Sequence, residues 1–278
     1  SFYFVSQSDF FEEIAKFRAV RRCWAKIMKE RFGADDPASM RLRFHCQTAA
    51  ASLTRQQYKI NIVRTGLQAL AGVLGGAQSL HANGMDEAFT IPTEEAMKIA
   101  LRTQQIISEE TNVASVADPL GGSYYVESLT TEFERGIFSV LDEIDAGGGT
   151  VRLVDEGWFQ RHIADFAYQV ALRKQSGEKA VIGVNRFAEE EEAAAVVETH
   201  AYDPVVVDRQ LARLKRVRAD RNDGRVKALL RQLQENAAGD SVNLLPVTIE
   251  LVKAGATMGD IVESLREIWG SYQETPVF

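Results

Sequence analysis

This sequence contains little cysteine and no long apolar run. Its 278 residues include two cysteines, Cys23 and Cys46, which form no CxxC pair and belong to no Cys/His cluster. This excludes a secreted scaffold held together by disulfides, and both residues are expected to be buried, reduced thiols of a cytoplasmic protein. No apolar run approaches the roughly 18 residues that a transmembrane helix requires, so no membrane interaction is expected.

Basic charge is also in short supply. Lys and Arg number 32 against 39 Asp and Glu, which gives a formal net charge of −7. This balance argues against a dedicated nucleic-acid-binding protein. The one basic stretch is predicted to be the solvated face of a helix rather than a surface for a partner. Its members are Arg209, Arg213, Arg216, Arg218 and Arg221.

The sequence lacks the common motifs for binding phosphate and metal. Gly75-Gly76 and Gly147-Gly148-Gly149 match neither a dinucleotide-binding loop nor a Walker loop, so they are predicted to be turns or helix ends. The four histidines share no ligand spacing, and no metal site is expected in the chain. They are His45, His81, His162 and His200.

The sequence does contain a repeated alternation of short strands and longer helices. Hydrophobic residues make up 45% of the chain, enough for a sizeable core. Three βα units are predicted up to Thr111, which indicates a parallel α/β fold. The predicted strands are Phe2–Val5, Met40–Gln47 and Ala77–His81. The predicted helices run from an N-cap at Ser8 to a stop at Gly33, from residue 58 to 74, and from an N-cap at Thr93 to about Thr111.

The pattern changes after the turn cluster Asp118–Ser123, beyond which helices dominate. They are predicted at about 125–146, 157–175, 204–220, 223–236, 243–254 and 258–269. Val181–Val184 is interpreted as a lone strand and Glu189–Glu192 as an acidic connector. The predicted domains are therefore βα units over residues 1–123 and a helical region over residues 124–278.

The strand Met40–Gln47 alternates strictly between apolar and polar residues. Leu42, Phe44 and Cys46 share one face, and Arg41, Arg43, His45 and Gln47 share the other. A parallel strand covered by helices is usually apolar on both faces. Two interpretations remain open: the polar face lines a barrel interior that holds a ligand, or the strand is an edge strand whose polar face meets water.

Polar residues gather where the second and third predicted strands end. His45 and Gln47 end one strand, Gln78, Ser79 and His81 lie on the next, and Asn83, Asp86 and Glu87 follow it in a loop. In an α/β barrel, the carboxyl ends of the strands and the loops after them build the active site. The spacing therefore predicts a ligand site at the top of a barrel, without identifying the ligand.

Five stretches of this sequence resemble the methylmalonyl-CoA mutase family, whose members are adenosylcobalamin-dependent acyl-CoA mutases. They are Arg43–Thr48, Asn61–Thr65, Gly75–Asn83, Asp86–Ala88 and Asp118–Glu127. The stretches are ordered along the chain and the resemblance covers its whole length, so we treat it as highly specific. Phe44–Ala51 and the ending Glu274–Phe278 resemble the branch of the family whose enzymes have a large and a small subunit.

The resemblance implies a fold, a reaction and partners. The fold is the C-terminal part of a TIM (β/α)8 barrel, about three βα units, followed by a mostly helical region that packs on the barrel and on a cobalamin-binding partner. The implied activity is that of an isomerase, which rearranges a short branched acyl-CoA by a radical 1,2-shift. The reaction would convert 2-hydroxyisobutyryl-CoA to 3-hydroxybutyryl-CoA, or isobutyryl-CoA to butyryl-CoA. Adenosylcobalamin is the implied cofactor, and a hetero-oligomer with a cobalamin-binding small subunit is the implied assembly.

The resemblance also assigns site residues. His45 and Gln47 match inward residues beside the thioester and are assigned catalytic roles. Ser1, Gln78 and Ser79 match positions that bind coenzyme A. Ala50, Asn83, Glu87 and Thr90 match positions around the corrin and the adenosyl group.

Two parts of the family pattern do not occur in this sequence. Three strands cannot close an eight-stranded barrel, so the chain is expected to be a fragment or a processed piece that is inactive without an N-terminal half. The motif Asp-x-His-x-x-Gly, whose histidine ligates cobalt, is also missing, so the cobalt ligand is expected on the small subunit. The alternatives are a methylmalonyl-CoA mutase proper and a truncated, non-catalytic homologue that acts only as a binding partner.

Overall fold

The computed structural model describes residues 1–189, 199, 203–239, 241–274 and 276. Contacts divide the chain into two compact units, one within Ser1–His200 and the other within Ala201–Pro276. His200, most of the predicted acidic connector and three residues of the ending Glu274–Phe278 lie outside the described residues. The predicted division into residues 1–123 and 124–278 remains a prediction.

The first unit begins with three βα units, as predicted. Strands β1 (Phe2–Ser6), β2 (Phe44–Thr48) and β3 (Ser79–His81) form a parallel sheet in the order β1-β2-β3. Helices α1 (Phe10–Glu30), α2 (Asn61–Leu74) and α3 (Glu94–Glu110) follow the three strands in turn. The sheet and its helices agree with a partial TIM barrel, although three strands do not by themselves display one.

Several predicted boundaries are wrong, and the reasons are local. β2 begins at Phe44 rather than Met40, because its first partner across the ladder is Phe2, at the start of β1. The N-cap of α1 is Asp9 rather than Ser8, and the helix ends at Glu30, before the expected stop at Gly33. The N-cap at Thr93 is confirmed, since its side chain accepts a hydrogen bond from the Ala96 N–H.

Three later elements also differ from their predictions. A 3-10 turn, Tyr58–Ile60, precedes α2, which therefore starts three residues later than predicted. β3 begins at Ser79 rather than Ala77, where it pairs with His45. Val181–Val184 is not a strand, because an isolated bridge between Ile182 and Arg186 closes it into a turn.

The core of this unit lies between the sheet and α1. Leu42, Phe44 and Cys46 are all buried, so the predicted apolar face of the second strand is confirmed. The rings of Phe17 and Phe44 stack at 5.1 Å between centroids, and Phe4 meets Phe44 edge-on at 5.5 Å. Burial of these aromatic side chains removes a large apolar area from water and fixes α1 against the sheet.

Helix α2 packs unusually close to β2. A Cβ atom added to Gly72 would lie 2.9 Å from the Cys46 Sγ, so only glycine allows this approach. Burial raises the pKa of the Cys46 thiol to about 11. This thiol therefore behaves as a small apolar group in the core.

Beyond the βα units, the first unit continues as helices. They are α4 (Tyr124–Ala146), the short α5 (Thr150–Asp155), which was not predicted, and α6 (Trp158–Gln175). Helix α4 packs along α1, and Glu134, which is buried, pairs there with Lys26 and with Arg22, the latter at 2.6 Å. The hydrogen bond from Lys26, more than any other contact, lowers the pKa of Glu134.

The second unit is helical over its described residues. It contains α7 (Pro204–Asp220), α8 (Asp223–Ala237), α9 (Leu245–Lys253) and α10 (Met258–Trp269), within two residues of the predicted bounds. Buried Val226, Leu233, Val247 and Leu251 form its core. The predicted basic stretch on and just after α7 is solvated along the helix, where Arg209, Arg213, Arg216 and Arg218 are exposed. No helix in the described part of the chain is both long enough and apolar enough to cross a membrane.

Candidate functional site

The parallel register places the predicted polar residues in two rows on one face of the sheet. Tyr3, His45 and Ser79 form the first row, and Val5, Gln47 and His81 form the second. We call this surface the polar face; the opposite face packs on the helices. Because β2 lies between β1 and β3, the interpretation of the second strand as an edge strand is wrong.

The first row holds a contact between two predicted site residues. The Nδ1 atom of His45 lies 2.8 Å from the Ser79 Oγ, within hydrogen-bonding distance. The ring of Tyr3 lies beside the imidazole, with 5.3 Å between the ring centroids. These contacts use one ring nitrogen of His45, so the Nε2 atom remains for a ligand.

The second row connects to the loop that follows β3. Gln47 donates its Nε2–H to the Asn83 Oδ1 at 2.9 Å. Asn83 is buried and is held from the other side by Thr48, which accepts from the Asn83 backbone N–H at 2.9 Å and from its side-chain amide at 2.8 Å. The structure therefore brings together one predicted catalytic residue and one predicted cofactor residue.

Two predicted site residues lie at the opposite end of the strands, which we call the amino edge. Ser1 immediately precedes Phe2, whose N–H donates to the Arg43 carbonyl at 3.1 Å. Gln78 accepts from the Phe44 N–H at 2.7 Å and donates to the Gly76 carbonyl at 2.8 Å. Both the oxygen and the nitrogen of the Gln78 side-chain amide are therefore bonded to backbone groups at the amino edge. The residue is nevertheless exposed there.

The remaining predicted residues lie at the carboxyl edge, where the strands end. Ala50 is exposed and begins a 3-10 turn, Ala50–Ser52, directly after β2. Glu87 and Thr90 are half-buried in the loop between β3 and α3, where their backbone N–H groups bond to the carbonyls of Gly84 and Asp86, both at 3.2 Å. The nine predicted residues therefore do not form one cluster; they are distributed along the strands from one edge to the other.

Sequence reasoning missed the residues that support the carboxyl edge from below. Gln68 of α2 is 2% exposed, accepts from the Ala49 N–H at 2.9 Å and donates to the Ser52 Oγ at 2.6 Å. The Ser6 hydroxyl donates to the backbone carbonyl of Gln68 at 2.9 Å. A glutamine at a core position of an otherwise apolar helix face is the signal that could have identified this support.

The loop that carries Glu87 is fixed by a second set of buried polar groups. The Asp86 carboxylate is 1% exposed and accepts from the Thr93 N–H at 2.8 Å and from its hydroxyl at 2.9 Å. Asn61 donates to the Met85 carbonyl at 3.0 Å. Asp86 was predicted to lie in the ligand site, but in the structure its buried carboxylate holds the loop that carries Glu87.

Tyr3 is the other residue that sequence reasoning missed. It was predicted as part of an apolar strand, yet its side chain is 57% exposed on the polar face and its hydroxyl donates to the Gln47 Oε1. The alternation of β1 opposite β2 is the signal that could have found it. No group of three His, Cys, Asp or Glu side chains within the described ranges could hold a metal ion.

Comparison with known proteins gives a consistent result. A sequence profile described as methylmalonyl-CoA mutase matches residues 1–271. The chain is 68% identical over 278 residues to the 2-hydroxyisobutanoyl-CoA mutase large subunit of Aquincola tertiaricarbonis, covering all of this chain and 49% of that protein. It is 38% identical to the methylmalonyl-CoA mutase of Rhizobium meliloti over 276 residues, and to the mitochondrial enzyme of Homo sapiens over 274 residues, covering 38% and 36% of those proteins. The chain thus spans about half, or less, of the length of these curated relatives.

Proposed function

The chain belongs to the methylmalonyl-CoA mutase family, and from that premise we propose that it forms part of the substrate-binding large subunit of an adenosylcobalamin-dependent acyl-CoA mutase. The proposed reaction is a 1,2-rearrangement of a short branched acyl-CoA. The 68% identity to a 2-hydroxyisobutanoyl-CoA mutase large subunit, against 38% to methylmalonyl-CoA mutases, favours 2-hydroxyisobutyryl-CoA as the substrate. Isobutyryl-CoA is the second candidate.

One observation carries this proposal: the nine candidate residues follow the strands from edge to edge. The ladder from Phe2 to Ser6 spans about 13 Å at the usual rise of a parallel strand. A long ligand that runs along the polar face would meet Ser1 and Gln78 at the amino edge, then Ser79, His45 and Gln47 along the rows. This order suits an extended thioester with its acyl group toward the carboxyl edge.

The proposed work of the two rows is to orient the acyl group and keep water out. His45 would direct its Nε2 atom at the thioester carbonyl, since Ser79 holds the other nitrogen. Gln47 donates to Asn83, and this bond orients its carboxamide in the second row. Orientation of this kind is a main contribution of a protein whose cofactor performs the difficult chemistry.

The carboxyl edge has the residue types that adenosylcobalamin would require. The small, exposed Ala50 leaves room for a broad ring, and the half-buried Glu87 and Thr90 supply carboxylate and hydroxyl groups for a hydroxyl-rich adenosyl group. The buried Asn83, whose amide bonds Gln47 and Thr48, would hold the start of their loop in place. When bound there, the cofactor would supply the radical that removes hydrogen from the acyl group. Because substrate and product are isomers, the reaction consumes no external oxidant or reductant.

The partner and the location are part of the same proposal. The Aquincola relative is a large subunit, which supports a small-subunit partner, and we propose that the cobalt ligand lies on that partner. A hetero-oligomer in the cytoplasm follows from that assignment and from the two buried, reduced cysteines. Neither nucleic acid nor membrane has a place in this function.

Reconstitution tests the proposal directly. The complete large subunit would be combined with its small subunit and adenosylcobalamin, and then supplied separately with 2-hydroxyisobutyryl-CoA, isobutyryl-CoA and methylmalonyl-CoA. We expect rearranged product from the first substrate, identified by mass spectrometry of the hydrolysed acids. Turnover of methylmalonyl-CoA alone would favour a methylmalonyl-CoA mutase, and no turnover of any ester would favour the non-catalytic homologue.

A further inference from the structure

A directed chain of hydrogen bonds crosses the polar face. It starts at the Tyr3 hydroxyl on β1, passes through the Gln47 carboxamide on β2 and the Asn83 side chain after β3, and ends at the Thr48 backbone. Each member contacts the next, and Asn83 and Thr48 are both buried. The proposed function assigns a role to Gln47 and Asn83 and none to Tyr3.

The donor-to-acceptor direction of these hydrogen bonds is fixed at the buried end of the series. The Thr48 carbonyl can only accept, so the Asn83 atom that meets it at 2.8 Å must be the Nδ2 donor. This leaves the Asn83 oxygen to accept from Gln47, at 2.9 Å, and Gln47 must therefore present its NH2 group. The Gln47 oxygen then faces Tyr3, whose hydroxyl has to donate.

We infer that Tyr3 is a positioning residue, which holds the Gln47 carboxamide at its place on the polar face, in the orientation that Asn83 dictates. Without the hydroxyl, the Gln47 oxygen would lose its donor, and the bond to Asn83 alone would hold the carboxamide in position. With it, the proton of Tyr3 is committed to Gln47, so the hydroxyl offers a bound ester only its lone pairs. The half-buried imidazole of His45, packed at 5.3 Å beside the same ring, restricts the phenol further.

The consequence for a ligand rests on the proposed function. Gln47 lies in the second row, nearer the carboxyl edge than Gln78 and Ser1. Its position should therefore affect the placement of the acyl group more than the binding of the coenzyme A moiety. Loss of the Tyr3 hydroxyl should therefore act on kcat rather than on KM. A residue that merely stabilised the fold would not separate the two constants.

Tyr3→Phe tests the inference, because it keeps the ring and removes only the hydroxyl. In the assembled mutase, with 2-hydroxyisobutyryl-CoA and well below the melting transition, we expect kcat to fall about 2- to 10-fold, the range that one neutral hydrogen bond supports. KM for the ester should change less than kcat. Tyr168→Phe is the matched control, since Tyr168 is 63% exposed on α6 and should leave both constants unchanged.

A double-mutant cycle supplies a readout that does not depend on activity. Tyr3 is linked to Asn83 through Gln47, so the Tm shift of Tyr3→Phe should shrink by about half or more in an Asn83→Ala background. Additive shifts, or a Tyr3→Phe enzyme with the kcat of the Tyr168→Phe control, would overturn the inference. If the parent enzyme rearranges no ester, the proposed function fails instead, and the Tm cycle alone then decides on Tyr3.

Discussion

Asn83 makes two hydrogen bonds to Thr48: its backbone N–H donates to the Thr48 hydroxyl at 2.9 Å and its side-chain amide donates to the Thr48 carbonyl at 2.8 Å. The two bonds join the end of β2 to the loop that follows β3. Because Gln47 precedes Thr48 in the same strand and donates to the same asparagine, Asn83 connects the polar face to the carboxyl edge. A displacement of the loop would therefore also displace Gln47, which is proposed to orient the acyl group.

Replacement of Glu87 by glutamine should weaken the proposed contact with the adenosyl ribose. A hydrogen bond to a carboxylate contributes about 1.5–3 kcal/mol, which corresponds to a roughly ten- to hundred-fold loss of turnover or of coenzyme affinity. Glu87 is half-buried in its loop, and a residue that only closes a turn would change stability instead. Mutase rate measured against adenosylcobalamin concentration, together with Tm, separates the two roles.

The control for this experiment is Glu132→Gln, an isosteric change at an exposed position of α4. It should leave the rate curve and Tm unchanged. A Glu87→Gln enzyme with the parent's rate curve would refute the assignment of Glu87 to the cofactor.

Replacement of Gln68 by leucine should destabilise the protein and loosen the turn at Ala50. The substitution leaves the buried Ala49 N–H without its acceptor, which costs about 1–3 kcal/mol. The Ser52 hydroxyl loses its donor at the same time. We expect a lower Tm and weaker adenosylcobalamin binding, measured by calorimetry on the assembled enzyme; Gln169→Leu, on the exposed surface of α6, should change neither.

Acid should weaken the second unit through Asp260. Burial on its own would raise the pKa of this carboxyl, but hydrogen bonds from Thr257 and the Arg221 guanidinium, at 2.7 Å, lower the pKa from 3.8 to about 2. The unfolded chain then binds the proton more readily, so the contribution is complete above about pH 4 and is lost as the pH falls toward 2. Its size should be about 1–2 kcal/mol after allowance for solvent screening.

Asp260→Asn provides the comparison, since it cannot titrate. Helix unfolding followed by circular dichroism between pH 5 and about pH 2 should show a shallower loss of stability in this variant than in the parent. Glu263→Gln, in an exposed i,i+3 pair with Arg266, should leave the slope unchanged. Equal slopes in Asp260→Asn and the parent would show that Asp260 does not carry the effect.

The 278-residue chain on its own should not melt as a sharply cooperative monomer. Both outer strands of the described sheet, β1 and β3, are edges, and apolar side chains such as Val63, Leu67 and Leu101 are more than half exposed on α2 and α3. Open parallel edges and apolar surfaces of this kind favour association. Calorimetry and sedimentation of the isolated chain, compared with the complete large subunit, test this; a single sharp transition of a monomer would contradict it.

The sequence predicted the elements better than their ends. Alternation in the second strand correctly identified Phe44 and Cys46 as core, because a residue's face in a strand follows from its parity alone. The start of that strand could not be predicted in the same way, since it depends on where β1 begins to pair. Thr93 was found as an N-cap because the capping bond is local, whereas the competition between Ser8 and Asp9 at α1 depends on how the chain leaves β1.

The candidate site was predictable in part for the same reason. The positions of His45, Gln47 and Ser79 on one face follow from parity and from a parallel register. Tyr3 and Gln68 were not found, because their importance comes from partners 44 and 19 residues away in the chain. Contacts of that range are set by packing of α2 and β1 on β2, so a local pattern can mark the position of such a residue but not its partner.

The close approach of Gly72 to Cys46 makes the thiol a reporter of sheet opening. With its pKa raised to about 11 and its side chain out of reach of solvent, Cys46 will react with alkylating reagents only in molecules where α2 has lifted off β2. Cys23 is buried on α1, which packs along α4, so it reports separately on the packing of those two helices. The alkylation rates of the two sulfurs would thus follow two distinct openings of the native protein, without any introduced cysteine.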